Sequence, residues 1–384
     1  MKIGINSMFF QFPASGSGQY LSHLLNAIAE IDKKNDYTLF GPRPIENGSV
    51  PAYPYKVSRV PNFATKNDNI EKVMWEQFTG PAAAHKAGMD LFHVTYFAPP
   101  LLLRTPTIVT IHDVIPLRLP AYQPNSRVKA YMNLVARAAR RASVIITVSR
   151  HAKQDIIDVL KLPAERIRVI YEAAGEEYRP VTNPEKLAEA RARYDVGERY
   201  VFYLGGLDQR KNVPQLVRAF AQVYKQVGDP DLRLLIAGNP DKQKGSLFPD
   251  PRPIAAELGV TEQIKYHFIA EEDKAAMYSG ASLFVFPSLY EGFGLPPLEA
   301  MGCGAPVVCS NLTSLPEVVG DAALSVDPND TQALVEAMSN VLTNSDLRAD
   351  LRARSLKRAQ QFSWQKTAAE TIAVYEEVLV RRKK

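Results

Sequence analysis

Phe286-Pro287-Ser288-Leu289-Tyr290-Glu291-Gly292-Phe293-Gly294-Leu295-Pro296-Pro297-Leu298-Glu299-Ala300-Met301 decides how this chain is read. An apolar run at 281–286 leads into it and reads as a buried strand. Gly292 and Gly294 break regular structure and let backbone come close to a ligand. Pro296 and Pro297 suit the first turn of a helix, where a missing N–H costs little. Leu298, Ala300 and Met301 are good helix formers. The stretch therefore predicts strand, glycine turn, helix, and the start of such a helix attracts anions. Two carboxylates bracket that start, Glu291 in the turn and Glu299 inside the helix. A helix rises roughly 7.5 Å between Gly294 and Glu299. A ligand with phosphate at the helix start then has one polar arm near each glutamate. A sugar nucleotide, with sugar, diphosphate and ribose in line, has that shape. The competing reading is a structural corner whose glutamates face water.

Working outward, a chain of 384 residues is too long for one ordinary core and calls for two or three domains. Hydrophobic content of 46% and charged content of 23% describe a soluble globular protein. The formal charge of +5 permits anionic partners without requiring nucleic acid, and none is expected. The cysteines, Cys303 and Cys309, make no disulfide framework and fit a reducing cytoplasm. No Cys/His cluster has zinc spacing. At the N-terminus Lys2 precedes an apolar run and Pro13-Ala14-Ser15-Gly16 has a cleavable look. Asn6, Ser7 and Gln11 interrupt that run, which favours an opening strand over a signal peptide. No run approaches a membrane span in length. The expected location is the cytoplasm, with contact at the inner membrane face as an option.

In chain order, residues 2–6 read as the first strand and 7–18 as a loop ending Ser15-Gly16-Ser17-Gly18. Leu21, Leu24, Leu25, Ile28 and Ile31 follow at helical spacing. Gly16 and Gly18 thus suggest a phosphate cradle of backbone N–H groups. The third glycine of a dinucleotide fingerprint would fall at Leu21, which disfavours a dehydrogenase. Strands are expected at 37–40, 56–60, 91–96 and 107–111, with a helical stretch at 71–86. The strand at 107–111 ends in His112-Asp113, at the carboxyl end where an open α/β sheet carries its chemistry. Asp113 has capping of the turn as its alternative. A helix at 125–141 sets Val128, Tyr131, Met132, Leu134 and Val135 among Arg127, Lys129, Arg137, Arg140 and Arg141. It is either a solvated basic face or a surface for an anionic membrane. A strand at 143–148 precedes Ser149-Arg150 and another helix, and 167–171 closes the first sheet.

The pattern fails near 173–184, so 1–175 reads as one domain, 176–189 as a linker and 190–362 as a second domain. Its first strand, 200–204, ends in Gly205-Gly206-Leu207-Asp208-Gln209-Arg210-Lys211-Asn212. Lys211 offers a point charge and Arg210 a fork, a pair suited to a diphosphate. Further strands are expected at 232–237, 263–269, 306–309 and 323–326, with hydroxyls at 310–314 after the third of these. Asp229-Pro230-Asp231 precedes a strand, the wrong end of a sheet for a metal clamp. Helices at 330–343, 345–361 and 364–381 finish the chain.

Glu291 and Glu299, with Gly292-Phe293-Gly294-Leu295-Pro296 between them, resemble the donor motif of the retaining GT-B glycosyltransferases of family 4: a Glu, seven residues, a Glu. The resemblance implies that Glu291 contacts the transferred sugar and Glu299 the ribose. The family also has a glycine loop facing the donor phosphates, matched by Gly16 and Gly18, and a His-Asp pair whose His, here His112, lies by the transferred sugar. Arg210-Lys211-Asn212 resembles its basic donor motif. Where the family often has Arg directly after the first Gly, this chain has Gly206, and Arg210 is expected to take that duty. His112, Glu291 and Lys211 are the expected catalytic residues. Gly16, Gly18, Gly205, Gly206, Arg210, Lys211, Glu291, Gly292, Phe293, Gly294, Leu295 and Glu299 are the expected donor contacts.

The fold implied is α/β, two Rossmann-like doubly wound domains facing across a cleft, with the last helix, 364–384, crossing back to the N-terminal domain. The reaction implied transfers a hexose with retention, without metal or cofactor. In the family the incoming hydroxyl attacks from the leaving-group side and the departing phosphate helps take its proton. Leaving-group charge then falls on Lys211, Arg210 and the helix start after Gly294. No carboxylate nucleophile is evident at the first-domain site. The Phe-Gly-Leu-Pro-Pro form and Gly205-Gly206 resemble bacterial mannosyl- or rhamnosyl-type members of polysaccharide pathways. GDP-mannose is the first choice of donor, UDP- and dTDP-sugars the alternatives, and a saccharide, free or lipid-linked, the acceptor. A nucleotide-sugar epimerase on the same fold and a non-catalytic nucleotide-sugar binder are the competing functions.

Overall fold

Residues 1–13, 15–45, 53–242 and 245–383 are described by a computed structural model. Ala14 of the glycine loop and residue 384 lie outside them. Short apolar runs rich in Val, Ile, Leu and Phe form two parallel sheets. The first comprises β1 Lys2–Asn6, β2 Asp36–Gly41, β3 Tyr55–Val57, β4 Leu91–Val94, β5 Thr107–Ile111, β6 Val144–Thr147 and β7 Ile167–Val169. They lie in the order β3-β2-β1-β4-β5-β6-β7. The second comprises β8 Tyr200–Leu204, β9 Arg233–Ala237, β10 Ile264–His267, β11 Leu283–Phe286, β12 Val307–Ser310 and β13 Leu324–Val326, in the order β10-β9-β8-β11-β12-β13. Strands β4, β5 and β6 are buried at every residue, as helices on both faces require. In each sheet the order turns back on itself once, between β1 and β4 and between β8 and β11. Open parallel sheets bind ligands beyond the carboxyl ends of strands at such a point.

The chain divides into Met1–Glu172 with Ser363–Lys384, and Ala173–Phe362. Residues 176–189, read as a linker, group with the second unit. They run into the helix Pro184–Arg193, whose cap Asn183 accepts from the N–H groups of Glu185 and Lys186. The C-terminal helix, Trp364–Lys383, groups with the first unit and packs along the helix Gly16–Ile31. One expectation is corrected and another holds with added detail. The edge strand stops at Val57: the Ser58 N–H makes the last bond to its neighbour, donating to the Gly41 carbonyl at 2.9 Å, and Pro61 follows closely. The helical stretch at 71–86 is interrupted by a π-helical turn, Trp75–Thr79, between Asp68–Met74 and Gly80–Lys86.

Candidate active site

The second unit brings the carboxyl ends of β8 and β11 side by side. After β8 the chain passes Gly205 and Gly206, where the Tyr203 hydroxyl donates to the Gly206 carbonyl at 2.6 Å. A short 3-10 turn, Gln209–Lys211, follows, and Asn212 at φ 57° opens the helix Val213–Val227. After β11 the chain turns through Gly294 at φ 123°. A Cβ there would meet the Leu315 side chain at 2.7 Å, so both conformation and space demand glycine. The helix Leu295–Gly302 then starts with both prolines in its first turn. Its preceding turn is held from below. Thr313 Oγ1 accepts from the Glu291 N–H at 3.1 Å, and the Ser314 hydroxyl faces the carbonyls of Glu291 and Phe293 at 3.0 and 2.5 Å.

Lys211, Arg210 and Glu291 converge. Lys211 Nζ donates to Glu291 Oε1 at 2.6 Å, and the Ser288 hydroxyl donates to the same oxygen at 2.5 Å. Arg210 Nη1 is 2.9 Å from Glu291 Oε2 and donates to the Tyr290 carbonyl at 3.0 Å, while its Nε is 3.1 Å from Asp208 Oδ1. The Lys211 ammonium also lies 4.8 Å over the Phe286 ring. Burial alone would raise the Glu291 carboxyl; the charges of Lys211 and Arg210 outweigh it and hold Glu291 below the ordinary glutamate range. Burial pulls Lys211 down from the ordinary lysine value in spite of Glu291. Glu299 is set differently. It is 7% exposed, accepts from the Tyr278 hydroxyl at 2.9 Å, and has no cation bonded to it among the described contacts. Burial pushes its carboxyl up to about 7. Neither glutamate faces water, which removes the exposed structural corner as a reading.

The first unit carries His112 just beyond β5. Its Nδ1 is 2.8 Å from Glu172 Oε1 and its Nε2 is 3.2 Å from the Thr95 carbonyl. Burial works against the imidazolium, but the Glu172 hydrogen bond and charge raise His112 above the ordinary histidine value. Both ring nitrogens facing acceptors fits that charged form. The Tyr20 ring stands edge-on against the imidazole, centroids 4.7 Å apart. Asp113 takes the capping part, accepting from the Ile115 N–H at 2.9 Å. Glu172, just past β7, is a carboxylate at this site that the sequence reading did not name, engaged with His112 Nδ1; the expectation that carboxyl ends of strands carry chemistry would have reached it. The loop placement of Gly16 and Gly18 is corrected. They belong to the first turn of the helix Gly16–Ile31, not to the loop, because Ser15 caps it and accepts from the Gly18 N–H at 3.2 Å. That N–H is already bonded within the turn.

Two other sequence features settle into structure. Val128, Tyr131, Met132 and Val135 of the helix Ser126–Ala139 pack into the first unit's core. The basic face remains, with Arg140 tied to the Leu160 carbonyl at 2.8 Å. Asp229 accepts from the Asp231 N–H at 2.9 Å and pairs with Arg199 at 2.6 Å, a turn before β9.

Comparison with known proteins identifies the class that this arrangement defines. The model of the glycosyl transferases group 1 matches residues 186–358, and that of glycosyltransferase family 4 matches 14–174. An O-antigen chain mannosyltransferase B of Escherichia coli is 36% identical over 270 residues, 70% of this chain and 69% of its own length. The serotype-specific mannosyltransferase WbdA of Escherichia coli is 33% identical over 269 residues, 68% of this chain but only 32% of its own. A solved sucrose-phosphate synthase from Thermosynechococcus elongatus superposes with a TM-score of 0.76 at 22% identity, over 99% of this chain and all of that one. The chain belongs to the family 4 glycosyltransferases and has their GT-B fold. It is a glycosyltransferase.

Proposed function

We propose that this enzyme transfers a mannosyl residue, with retention, from GDP-mannose to a saccharide acceptor of a surface polysaccharide, and that it needs neither metal nor cofactor. The observation that carries the reading is the convergence of Lys211 and Arg210 on Glu291 beside the start of the helix Leu295–Gly302. A buried lysine, a half-buried arginine and a helix N-terminus suit a diphosphate and the charge it gains as the sugar departs. In this reading Lys211 and Arg210 turn from Glu291 to the phosphates, which frees the Glu291 carboxylate for the sugar hydroxyls. Glu299 takes the ribose, and His112 lies by the transferred sugar. The mannosyl choice rests on what the two Escherichia coli relatives are named for. Calorimetric titration with GDP, UDP and dTDP tests the donor: GDP is expected to bind at least about tenfold more tightly, a difference of about 1.4 kcal/mol. Equal affinities would remove GDP-mannose as the donor.

Asp229, the first acid of the Asp-x-Asp string, is spent on Arg199 and on its own turn. Transfer is expected to keep its rate in excess EDTA; full loss with rescue by Mg²⁺ or Mn²⁺ would overturn the metal-free reading. No helix among the described residues is long and apolar enough to cross a membrane. With the apolar stripe of Ser126–Ala139 used by the core, contact with an anionic membrane is electrostatic in our reading. Vesicle binding is expected to disappear at about 1 M salt, where the screening length is about 3 Å. Binding that survives that salt would require an apolar insertion elsewhere.

A further inference from the structure

The groups that hold His112 are themselves held by the C-terminal helix. Thr367, 2% exposed, donates its hydroxyl to the Tyr171 carbonyl at 2.6 Å, with the Ser363 carbonyl further off at 3.1 Å. Tyr171 precedes Glu172, so this bond fixes the backbone that presents Glu172 to His112. The two bonded residues are 196 positions apart in the chain. The Trp364 ring stands edge-on to Tyr20, centroids 5.8 Å apart, and Tyr20 stands edge-on to His112. A second connection runs through the core. The Tyr375 hydroxyl is 2.7 Å from His93 Nδ1, His93 Nε2 is 2.8 Å from Thr110 Oγ1, and Thr110 Oγ1 is 3.3 Å from the Tyr20 hydroxyl. His93 is fully buried and pulled down to about 3, so it stays neutral. A neutral imidazole has one donor and one acceptor nitrogen, so the connection runs in one direction and needs every member.

We propose that the C-terminal helix is a positioning element for His112: Thr367 sets Glu172, while Trp364 and the Tyr375–His93–Thr110 connection set Tyr20. Glu172 fixes the imidazole through Nδ1 and Tyr20 closes one side of it, so one helix controls the ring's orientation. A shift of about 1 Å at a reacting group costs up to a hundredfold in rate, so such a hold has leverage over transfer. The inference rests on His112 acting at the site of transfer.

Four variants test it: Thr367→Val, Thr367→Ser, Tyr375→Phe and His112→Asn. The readouts are kcat, donor KM, GDP affinity and the His112 titration followed by NMR. Glu172, Asp113, His93 and the Tyr20 phenol are the charged or titratable groups facing that ring. Thr367→Val removes the donor and is expected to lower kcat by about tenfold, with donor KM and GDP affinity within about twofold. The His112 titration should move down toward the ordinary histidine value as Glu172 loosens. Thr367→Ser keeps the donor and should restore both. Tyr375→Phe removes a single oxygen, should lower kcat in the same way, and carries the test if Thr367→Val does not fold. A wild-type kcat and His112 titration in both Thr367→Val and Tyr375→Phe would overturn the inference. A wild-type kcat in His112→Asn would instead overturn the role of His112, and the titration in the other variants would still decide whether the helix holds the ring.

Discussion

Glu291→Gln is expected to lower sugar transfer by about ten- to a hundred-fold while leaving nucleoside diphosphate affinity undiminished. In the free enzyme Glu291 is the counter-anion of Lys211 and Arg210, taking one on each carboxylate oxygen. A diphosphate must draw both cations away from it. Gln keeps the size but gives up the charge, so the cations are easier to recruit and GDP should bind as well as before or more tightly. Transfer is expected to fall because the carboxylate proposed to orient the sugar is gone. The fold is weakened as well, since removing one partner of a buried ion pair costs about 3–5 kcal/mol. GDP should accordingly raise the variant's Tm by more than it raises the wild type's, because the ligand supplies the missing anion. Calorimetry with GDP, thermal melts with and without it, and a transfer assay decide the matter. If GDP affinity falls as far as transfer does, Glu291 holds the nucleotide and the donor orientation is reversed.

The parts legible from sequence were those where local chemistry and tertiary need agree. The glycine turn and the two prolines predict a helix start, and Gly294 with its positive φ sits where they place it. The burial of Glu291 and Glu299 was not legible. A Glu in a glycine turn looks exposed until Lys211 and Arg210, from the turn after β8, arrive at its carboxylate. The same holds for Glu172, which lies past the end of a short strand and gains meaning only when His112 comes within 2.8 Å. Gly16 and Gly18 misled because glycine suggests a loop; Ser15 as N-cap outweighed that preference and drew both into the helix. The basic helix at 125–141 misled in part, since an amphipathic pattern does not say whether its apolar stripe meets a core or a lipid. Tyr131 donating to the buried Glu76 at 2.8 Å commits it to the core.

With Glu299 on the ribose, as proposed, nucleotide binding is expected to depend on pH. Its carboxyl titrates at about 7 because burial raises it, with the Tyr278 hydroxyl offsetting only part. Ribose hydroxyls donate best to the ionised form, so GDP affinity should rise as pH passes upward through about 7 and then level off. The nucleotide's own terminal phosphate also titrates near 6, and Glu299→Gln separates the two. The slope left in the variant belongs to the ligand; the part that disappears belongs to Glu299. The variant's affinity should also be lower by about 1.5–3 kcal/mol at pH 8, the range for a hydrogen bond to a charged group. Stability must move the other way. Between the ordinary glutamate value and about 7 the folded state keeps a proton that the unfolded chain has released, so the fold loses stability as pH rises through that window. In Glu299→Gln that dependence should flatten. Binding that strengthens with pH while the fold weakens, both through one carboxylate, is a signature that an exposed or cation-paired glutamate does not give. If Glu299→Gln binds GDP as the wild type does from pH 6 to pH 8, the ribose lies elsewhere, and the second glutamate of the motif serves only Tyr278 and the helix that carries it.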